Sequence, residues 1–375
     1  MSPSPIGWVI AASLGVALWH GGYRTGGQLL LAAAAIAYVA VVRPRPRADA
    51  LRDPLLAALV AAAVANLASL AWNGSGTAPA LAAVGVAVIA CWASAAGPRL
   101  GQHVVMAEAG VGLACATAGL AGLLLHSRPL AERIDGIWRA GGTFEYPPAL
   151  GLLAVCAVAA VLALRAEGTL DRAPAIVACT VLTAAAVATF DRAAAVGLVA
   201  VAVLFAVRTP SVRPVVAWTA AVAAVTAVVA IGVAGPSTRA LERHLRHGPL
   251  TSRQDAWRAA WDGARDRPVL GYGPGTKLPV KPVFGTGAPP AEAHNAVLQQ
   301  ALDAGVVAAV GTAVALISML LGGGAALRSR DPVRLACGLA AVAVALSGLY
   351  DFTWSFAPLV LLGALGTLGC RKQTA

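Results

Sequence analysis

Residues 236–305 read PSTRALERHLRHGPLTSRQDAWRAAWDGARDRPVLGYGPGTKLPVKPVFGTGAPPAEAHNAVLQQALDAG. They form a polar island in a chain built otherwise of alanine, valine, leucine and glycine. Chemistry that needs charge, hydrogen bonds and water has few other places to go. The contrast therefore bears both on the fold and on where function lies.

Outward from the island, the composition is that of a polytopic membrane protein, with 58% hydrophobic and 12% charged residues over 375 positions. An apolar helix needs about twenty residues to cross about 30 Å of hydrocarbon. On that measure the chain predicts an all-α fold of about twelve transmembrane helices, at 6–22, 26–42, 54–73, 79–97, 104–126, 148–164, 174–190, 193–207, 215–235, 296–324, 333–349 and 356–370. The domain plan is a membrane domain over 1–235, an extracytoplasmic loop over 236–295 and a second membrane domain over 296–375. The N-terminus lacks the charged region and small-residue cleavage site of a signal peptide, so its first segment is read as a retained helix.

Lysine and arginine placement sets the orientation. With the N-terminus inside, the cytoplasmic loops and tail hold Arg43, Arg45, Arg47, Arg52, Arg99, Arg165, Arg172, Arg208, Arg213, Arg328, Arg330, Arg334, Arg371 and Lys372. The short outer loops hold only Arg24, Arg128, Arg133, Arg139 and Arg192. Long loops translocate largely regardless of charge, so the island is expected to face outward. A net charge of +11 would suggest nucleic acid in a soluble protein, but about half of these cations serve topology and no nucleic-acid module is present. Inside the island Arg239, Arg243, Arg246, Arg253, Arg258, Arg265, Arg267, Lys277 and Lys281 outnumber the acids, so the outer mouth attracts anions. All six cysteines lie in or at the ends of apolar segments, and no disulfide framework or zinc spacing is indicated.

Within the island, Trp257 and Trp261 lie four residues apart with Ala260 and Ala264 beside them. This pattern predicts a short amphipathic helix over 253–265 lying at the bilayer interface. The run Pro268, Gly271, Gly273, Pro274, Gly275 breaks it and leaves backbone amides able to hold an anion. Pro289 and Pro290 pre-set a new helix, Glu292 suits its positive end, and His294 falls in its first turns. The dipole there favours the neutral imidazole, the form that acts as a base. Arg192 follows an apolar run at an outer helix end, where a cation is costly unless paired or functional. Asp351, in LYDFTWSF beside Trp354, reads as part of an interfacial aromatic belt, and Glu108 as a structural residue.

An arginine four residues before a tryptophan (Arg253, Trp257), then Pro268 with Gly271 and Gly273, then His294-Asn295 and Leu298, with Asp303 and Gly305 closing, resembles the O-antigen ligase and polymerase superfamily. RAGGTFEYPPALG at 139–151 and FDRAAAVG at 190–197 fit the same family. This chain has Asp191 where the family has a small hydroxyl residue, and Pro148 where asparagine is common. The likeness spans roughly 130–355.

The resemblance implies a GT-C-type membrane glycosyltransferase architecture in the cytoplasmic membrane. It also implies an undecaprenyl-pyrophosphate-linked glycan as donor and a glycan or lipid-glycan as acceptor. On this reading His294 is the catalytic base. Arg192 and Arg253 bind the pyrophosphate, with Arg139, Arg258, Lys277 and Asn295 as further substrate contacts. No cofactor is expected, and the absence of paired-histidine or Asp-x-Asp spacing favours a metal-independent, inverting transfer. A polymerase of the same superfamily is the alternative. A lipid-linked glycan transporter is a further one, disfavoured because neither internal repeats nor broken helices are evident.

Overall fold

The computed structural model describes residues 5–42, 49–134, 136–235, 251–278 and 292–371. Thirteen α-helices are present among them. Nine precede the island: α1 (Pro5–Gly15), α2 (Thr25–Val42), α3 (Pro54–Asn73), α4 (Thr77–Ala93), α5 (Leu100–Leu124), α6 (Pro147–Ala166), α7 (Arg172–Ala188), α8 (Arg192–Arg208) and α9 (Arg213–Ala234). Within it lies α10 (Thr251–Asp266), and α11 (Ala296–Ala326), α12 (Pro332–Tyr350) and α13 (Ala357–Gly369) follow. Six of them, α3, α5, α6, α9, α11 and α12, are long and apolar enough to cross a membrane, and α1, α2, α4, α7 and α13 are shorter apolar helices. The protein is a polytopic helical membrane protein.

Local chemistry sets the helix ends. Asp53 caps α3 by accepting from Leu55 N, Pro54 occupies the first helical position, and Gly74 closes the helix in the left-handed conformation. Asp331 with Pro332 repeats the device at α12, and Asp191 caps α8. The first helix is shorter than the predicted 6–22. It gives way after Gly15 to two short 3-10 turns, because Gly21 takes a left-handed backbone there.

Successive helices run in opposite directions, so their connections gather at two ends. At the island end, Thr143 Oγ1 donates to Ala17 O (2.8 Å), Ser69 Oγ to Leu270 O (2.6 Å) and Tyr23 Oη to Glu292 (2.7 Å). At the other end, Arg371 pairs with Asp53, Arg334 Nε donates to Cys370 O (2.9 Å) and Arg208 to Arg328 O (3.4 Å). Arg208, Arg328, Arg334 and Arg371, all assigned above to the cytoplasmic loops and tail, meet at this second end. Among the six long apolar helices α6 is the most enclosed.

Two features depart from the sequence reading. A β-hairpin interrupts the otherwise helical chain between α5 and α6: β1 (Ala131–Ile134) pairs antiparallel with β2 (Ile137–Ala140), with Glu132 opposite Arg139. Strands of four residues carry too little periodicity to be read in advance. Second, α11 is broken at Gly305 (φ 80°, ψ −170°), where no broken helix was expected. The 268–276 turn fills the break: Val306 N donates to Pro268 O (2.8 Å), Tyr272 N to Leu302 O and Gly273 N to Asp303 O (both 2.9 Å). These bonds satisfy backbone groups that the helix gives up. Only glycine fits there, since a Cβ on Gly305 would stand 2.1 Å from Val269 O and one on Gly271 (φ 60°) 2.5 Å from Leu302 O.

Candidate active site

The segment Leu349–Phe352, at the end of α12 and the start of its link to α13, is where the functional candidates meet. Asp351 is buried rather than part of an aromatic belt. One carboxylate oxygen accepts from Tyr146 Oη and from Phe352 N (2.7 Å each), and the other faces Arg253 Nη2 at 3.9 Å. The guanidinium of Arg253 also lies over the Tyr350 ring, 5.8 Å from its centroid. At 3.9 Å Asp351 orients the charge of Arg253 without taking up a hydrogen-bond donor. Burial, and then the neighbouring Asp351 carboxylate, hold the Tyr146 hydroxyl well above its usual range, so it remains a donor.

His294 joins the same segment from the other strand of the loop. Its ring meets Phe352 edge to face at 5.2 Å, and Asn295 Nδ2 donates to Leu349 O (2.8 Å). The structure corrects the helix start: α11 begins at Ala296, with Asn295 as its cap, accepting from Leu298 N at 3.0 Å. His294 therefore stands just outside the helix rather than in its first turns. Its backbone is left-handed (φ 50°), a conformation that is costly for any residue but glycine. The neighbours hold it there. Gln299 Oε1 accepts from Ala293 N (2.8 Å), and Trp257 Nε1 donates to His294 O (3.4 Å). The imidazole Nδ1 lies 3.0 Å from Glu292 O. A carbonyl only accepts, so Nδ1 carries the proton and the lone pair of the neutral ring is on Nε2.

Arg139 serves the neighbouring turn. Its Nε and Nη2 donate to Thr189 O and Phe190 O (2.8 Å each), satisfying carbonyls at the end of α7. Phe190 itself is left-handed (φ 51°), so the turn into α8 is strained and needs such a hold. Asp191 follows and caps α8 through Ala193 N and Ala194 N (3.2 Å each). Its carboxyl is raised from the ordinary value by burial, with the Asp351 carboxylate adding to the effect. Arg192 is the exposed first residue of α8, where the helix dipole disfavours a cation.

On another side of Phe352, Lys277 Nζ pairs with the buried Glu292 and with Tyr23 Oη. Burial favours the neutral amine of Lys277, but Glu292 and Tyr23 outweigh it and hold the ammonium. Tyr23 in turn is pushed up to about 12 by burial and by Glu292. Tyr23, Tyr146, Phe352 and Phe356 form a ring cluster, with centroids 4.2 Å apart for Tyr146 and Phe352 and 5.2 Å for Tyr23 and Phe356. Beyond Tyr146, Glu145 (φ 57°) is paired with His20 and with Arg24 (2.6 Å).

Two expectations shift. Arg258 is exposed and pairs with Asp255 on the outer side of α10, away from Asp351. The two tryptophans of α10 do not share one environment. Ala256 and Ala260 are fully buried and, with Ala293 and Leu302, dock the helix on α11. Trp257 turns inward to the His294 carbonyl while Trp261 stays exposed. Alanine faces allow the helices to approach closely, and that packing, rather than an indole pair, orients α10. Of the cations read as drawing anions to the outer mouth, Arg239, Arg243, Arg246 and Lys281 lie outside the described residues, as does the helix start at Pro289 and Pro290. Among the described residues, no group of three His, Cys, Asp or Glu side chains is placed to hold a metal ion.

The structure thus brings His294, Asn295 and Arg253 onto one segment, with Arg139 supporting the adjacent Asp191-Arg192 turn. Sequence reasoning missed Tyr146, Asp351, Tyr23 and Glu292 as a connected set. An acid amid the aromatics of LYDFTWSF, and the tyrosine before Pro147-Pro148, were the signals available.

A polytopic membrane protein in which a strained histidine and a half-buried arginine meet on one segment at the island end is the class that fold and site define. Residues 175–313 match the O-antigen ligase family (Wzy_C), so the chain carries an O-antigen ligase domain. The matched span covers less than half of the chain. It contains Arg192, Arg253, Arg258, Lys277, His294 and Asn295, whereas Arg139 precedes it. No curated protein is similar enough to match the chain.

Proposed function

We propose that the protein is an O-antigen ligase-like glycosyltransferase with twelve membrane crossings. It moves a glycan from an undecaprenyl-pyrophosphate carrier to an acceptor on the outer face of the cytoplasmic membrane. The observation that carries this reading is the held geometry of His294, whose Nδ1 is committed to Glu292 O and whose ring meets Phe352, while Arg253 faces the adjacent Asp351. In the proposed step Nε2 takes the proton of an acceptor hydroxyl as its oxygen attacks the anomeric carbon. The bond from that carbon to the pyrophosphate oxygen breaks, and the electron pair leaves with the carrier.

Arg253 and Arg192 meet the charge that develops on the leaving group, through a planar fork that stays protonated. Attack opposite the leaving group inverts the anomeric centre. Arg139 acts through the Asp191-Arg192 turn, and Lys277 and Asn295 act through the backbone around His294. The proposal keeps the division into a membrane domain over 1–235, an extracytoplasmic loop over 236–295 and a second membrane domain over 296–375.

The test is transfer in reconstituted membranes supplied with an undecaprenyl-pyrophosphate-linked glycan. Wild type is expected to release the carrier pyrophosphate and lengthen or cap an acceptor, with product length separating ligase from polymerase. His294→Ala is expected to lose at least about 100-fold at unchanged protein level. Transfer near the wild-type rate in that variant removes the histidine from the mechanism. Passage of an unchanged glycan across the bilayer in both points to a transporter.

A further inference from the structure

The proton on His294 Nδ1 is held by a carbonyl, and that carbonyl belongs to Glu292. Whatever fixes residue 292 therefore helps to decide which nitrogen of the imidazole is bare. The Glu292 side chain is buried, and a carboxylate taken out of water needs donors. Two described groups meet its Oε1: Lys277 Nζ, from the same island, and Tyr23 Oη at 2.7 Å, from the turn between α1 and α2. Lys277 Nζ also donates to Tyr23 Oη, which leaves the hydroxyl hydrogen for Glu292.

Tyr23 belongs neither to the island nor to the matched span 175–313. Its place is set by the N-terminal part of the chain. Tyr23 N donates to His20 O (3.1 Å), and Gly22 packs so closely on Pro358 that a Cβ there would stand 2.7 Å from the proline ring. The Tyr23 ring lies 5.2 Å from that of Phe356, just before α13, and 6.2 Å from that of Phe352, the ring that meets His294 edge to face. Tyr23 thus reaches both groups that hold the imidazole: the residue whose carbonyl accepts from Nδ1, and the ring against which the imidazole stands.

We propose that Tyr23 is a positioning residue for His294, its hydroxyl acting through Glu292 to keep the imidazole in the form with a bare Nε2. The inference rests on the reading of His294 as the base, since that role makes the choice of tautomer matter. Tyr23 itself meets no reacting atom. Without the hydroxyl, residue 292 is held at one point fewer, its carbonyl leaves Nδ1 for part of the time, and the proton then occupies Nε2 and blocks the base. Arg253 is oriented by Asp351 through separate contacts, so the loss falls on turnover rather than on donor binding.

Tyr23→Phe, which keeps the ring and removes only the hydroxyl, is compared with wild type as full-length protein in lipid bilayers. With the undecaprenyl-pyrophosphate-linked donor, kcat is expected to fall about tenfold while KM stays within about twofold. In protein carrying isotope-labelled histidine, solid-state NMR reads which ring nitrogen bears the proton, the His294 signals being those missing from His294→Ala. Wild type is expected to bear it on Nδ1, and Tyr23→Phe to show a second population bearing it on Nε2. A role in packing alone would lower stability and leave the tautomer as it is.

Glu292→Ala cuts the same path from the other side. Tyr23→Phe added to it is expected to cost nothing further in kcat, whereas independent residues would add their losses. Glu292→Ala also supplies the tautomer reading should Tyr23→Phe not reach the membrane. A wild-type ring protonated on Nε2, an unchanged kcat and tautomer in Tyr23→Phe, additive losses in the double variant, or an unchanged tautomer in Glu292→Ala overturns the proposal. If that happens while His294→Ala still abolishes transfer, only the role of Tyr23 falls. If His294→Ala transfers normally, the reading of the base falls first.

Discussion

The two ends of the helix bundle are built on different principles. All five non-glycine residues with left-handed backbones among the described residues, His20, His126, Glu145, Phe190 and His294, belong to the island end. There the loops hold one another through side-chain bonds across long stretches of sequence, such as Tyr146 to Asp351 and Tyr23 to Glu292. The opposite end has short turns and caps such as Asp53 and Asp331, and its ties across the sequence are made by arginines, Arg371 to Asp53, Arg334 to Cys370 O and Arg208 to Arg328 O. Strain of about 1–3 kcal/mol per residue persists only where the surroundings over-determine it. One end of this protein is thus made to hold a shape, and the other to end helices and face the membrane surface.

The largest effect expected from breaking this contrast comes from the support under the island. Gly305→Ala forces a Cβ against Val269 O, so the 268–276 turn can no longer fill the break in α11. Asp303, which accepts from Gly275 N and Thr276 N (3.1 Å each), would lose its hold on that turn. The variant is expected to insert with a melting temperature lowered by several degrees and to lose transfer altogether. Thermal unfolding in detergent alongside the transfer assay checks both, and an unchanged melting temperature would mean that the break is not under load.

Next in size is Arg253→Lys. It keeps the charge near Asp351 but loses the planar fork, and transfer is expected to fall by about 10–100-fold. Full activity would make Arg253 a point charge rather than a bidentate phosphate ligand. Tyr146→Phe is smaller. It removes one of the two described donors to the same Asp351 oxygen, an interaction worth about 1–3 kcal/mol, so Arg253 is less firmly oriented. About a tenfold loss in transfer is expected, with the melting temperature lowered only slightly.

How far the sequence carried this contrast follows from how local each signal is. The helices were legible because an apolar run of about twenty residues is its own evidence, and caps such as Asp53-Pro54 mark their ends. The His294 block was legible as a resemblance, and so was Arg253. Asp351 was not, because its burial depends on Tyr146 and Arg253, which lie 205 and 98 residues away in sequence. The break in α11 was hidden by the apolar run that continues beyond Gly305. Its one trace was Asp303, an acid inside an otherwise apolar helix, where charge implies a buried partner. The different placement of Arg258 was not legible either, since its spacing from Arg253 does not reveal which side of α10 faces Asp351.

The smallest expected effect therefore tests whether charge alone or placement matters at the island end. Arg253 and Arg258 are five residues apart on one helix, equal in charge, and both candidates for an anion. Arg253 is mostly buried against Asp351 and Tyr350, whereas Arg258 is exposed and pairs with the exposed Asp255 at 3.5 Å. An exposed pair of this kind contributes about 0–1 kcal/mol and is screened by salt. Arg258→Ala is expected to keep transfer within about twofold of wild type at physiological ionic strength, with a modest fall confined to low salt, where the summed positive field still draws an anionic donor to the mouth. A loss as large as that of Arg253→Lys at physiological salt would place Arg258 in direct contact with the substrate. It would then require α10 to turn on the bundle when the donor binds, because in the present packing its buried alanines hold Arg258 on the outside.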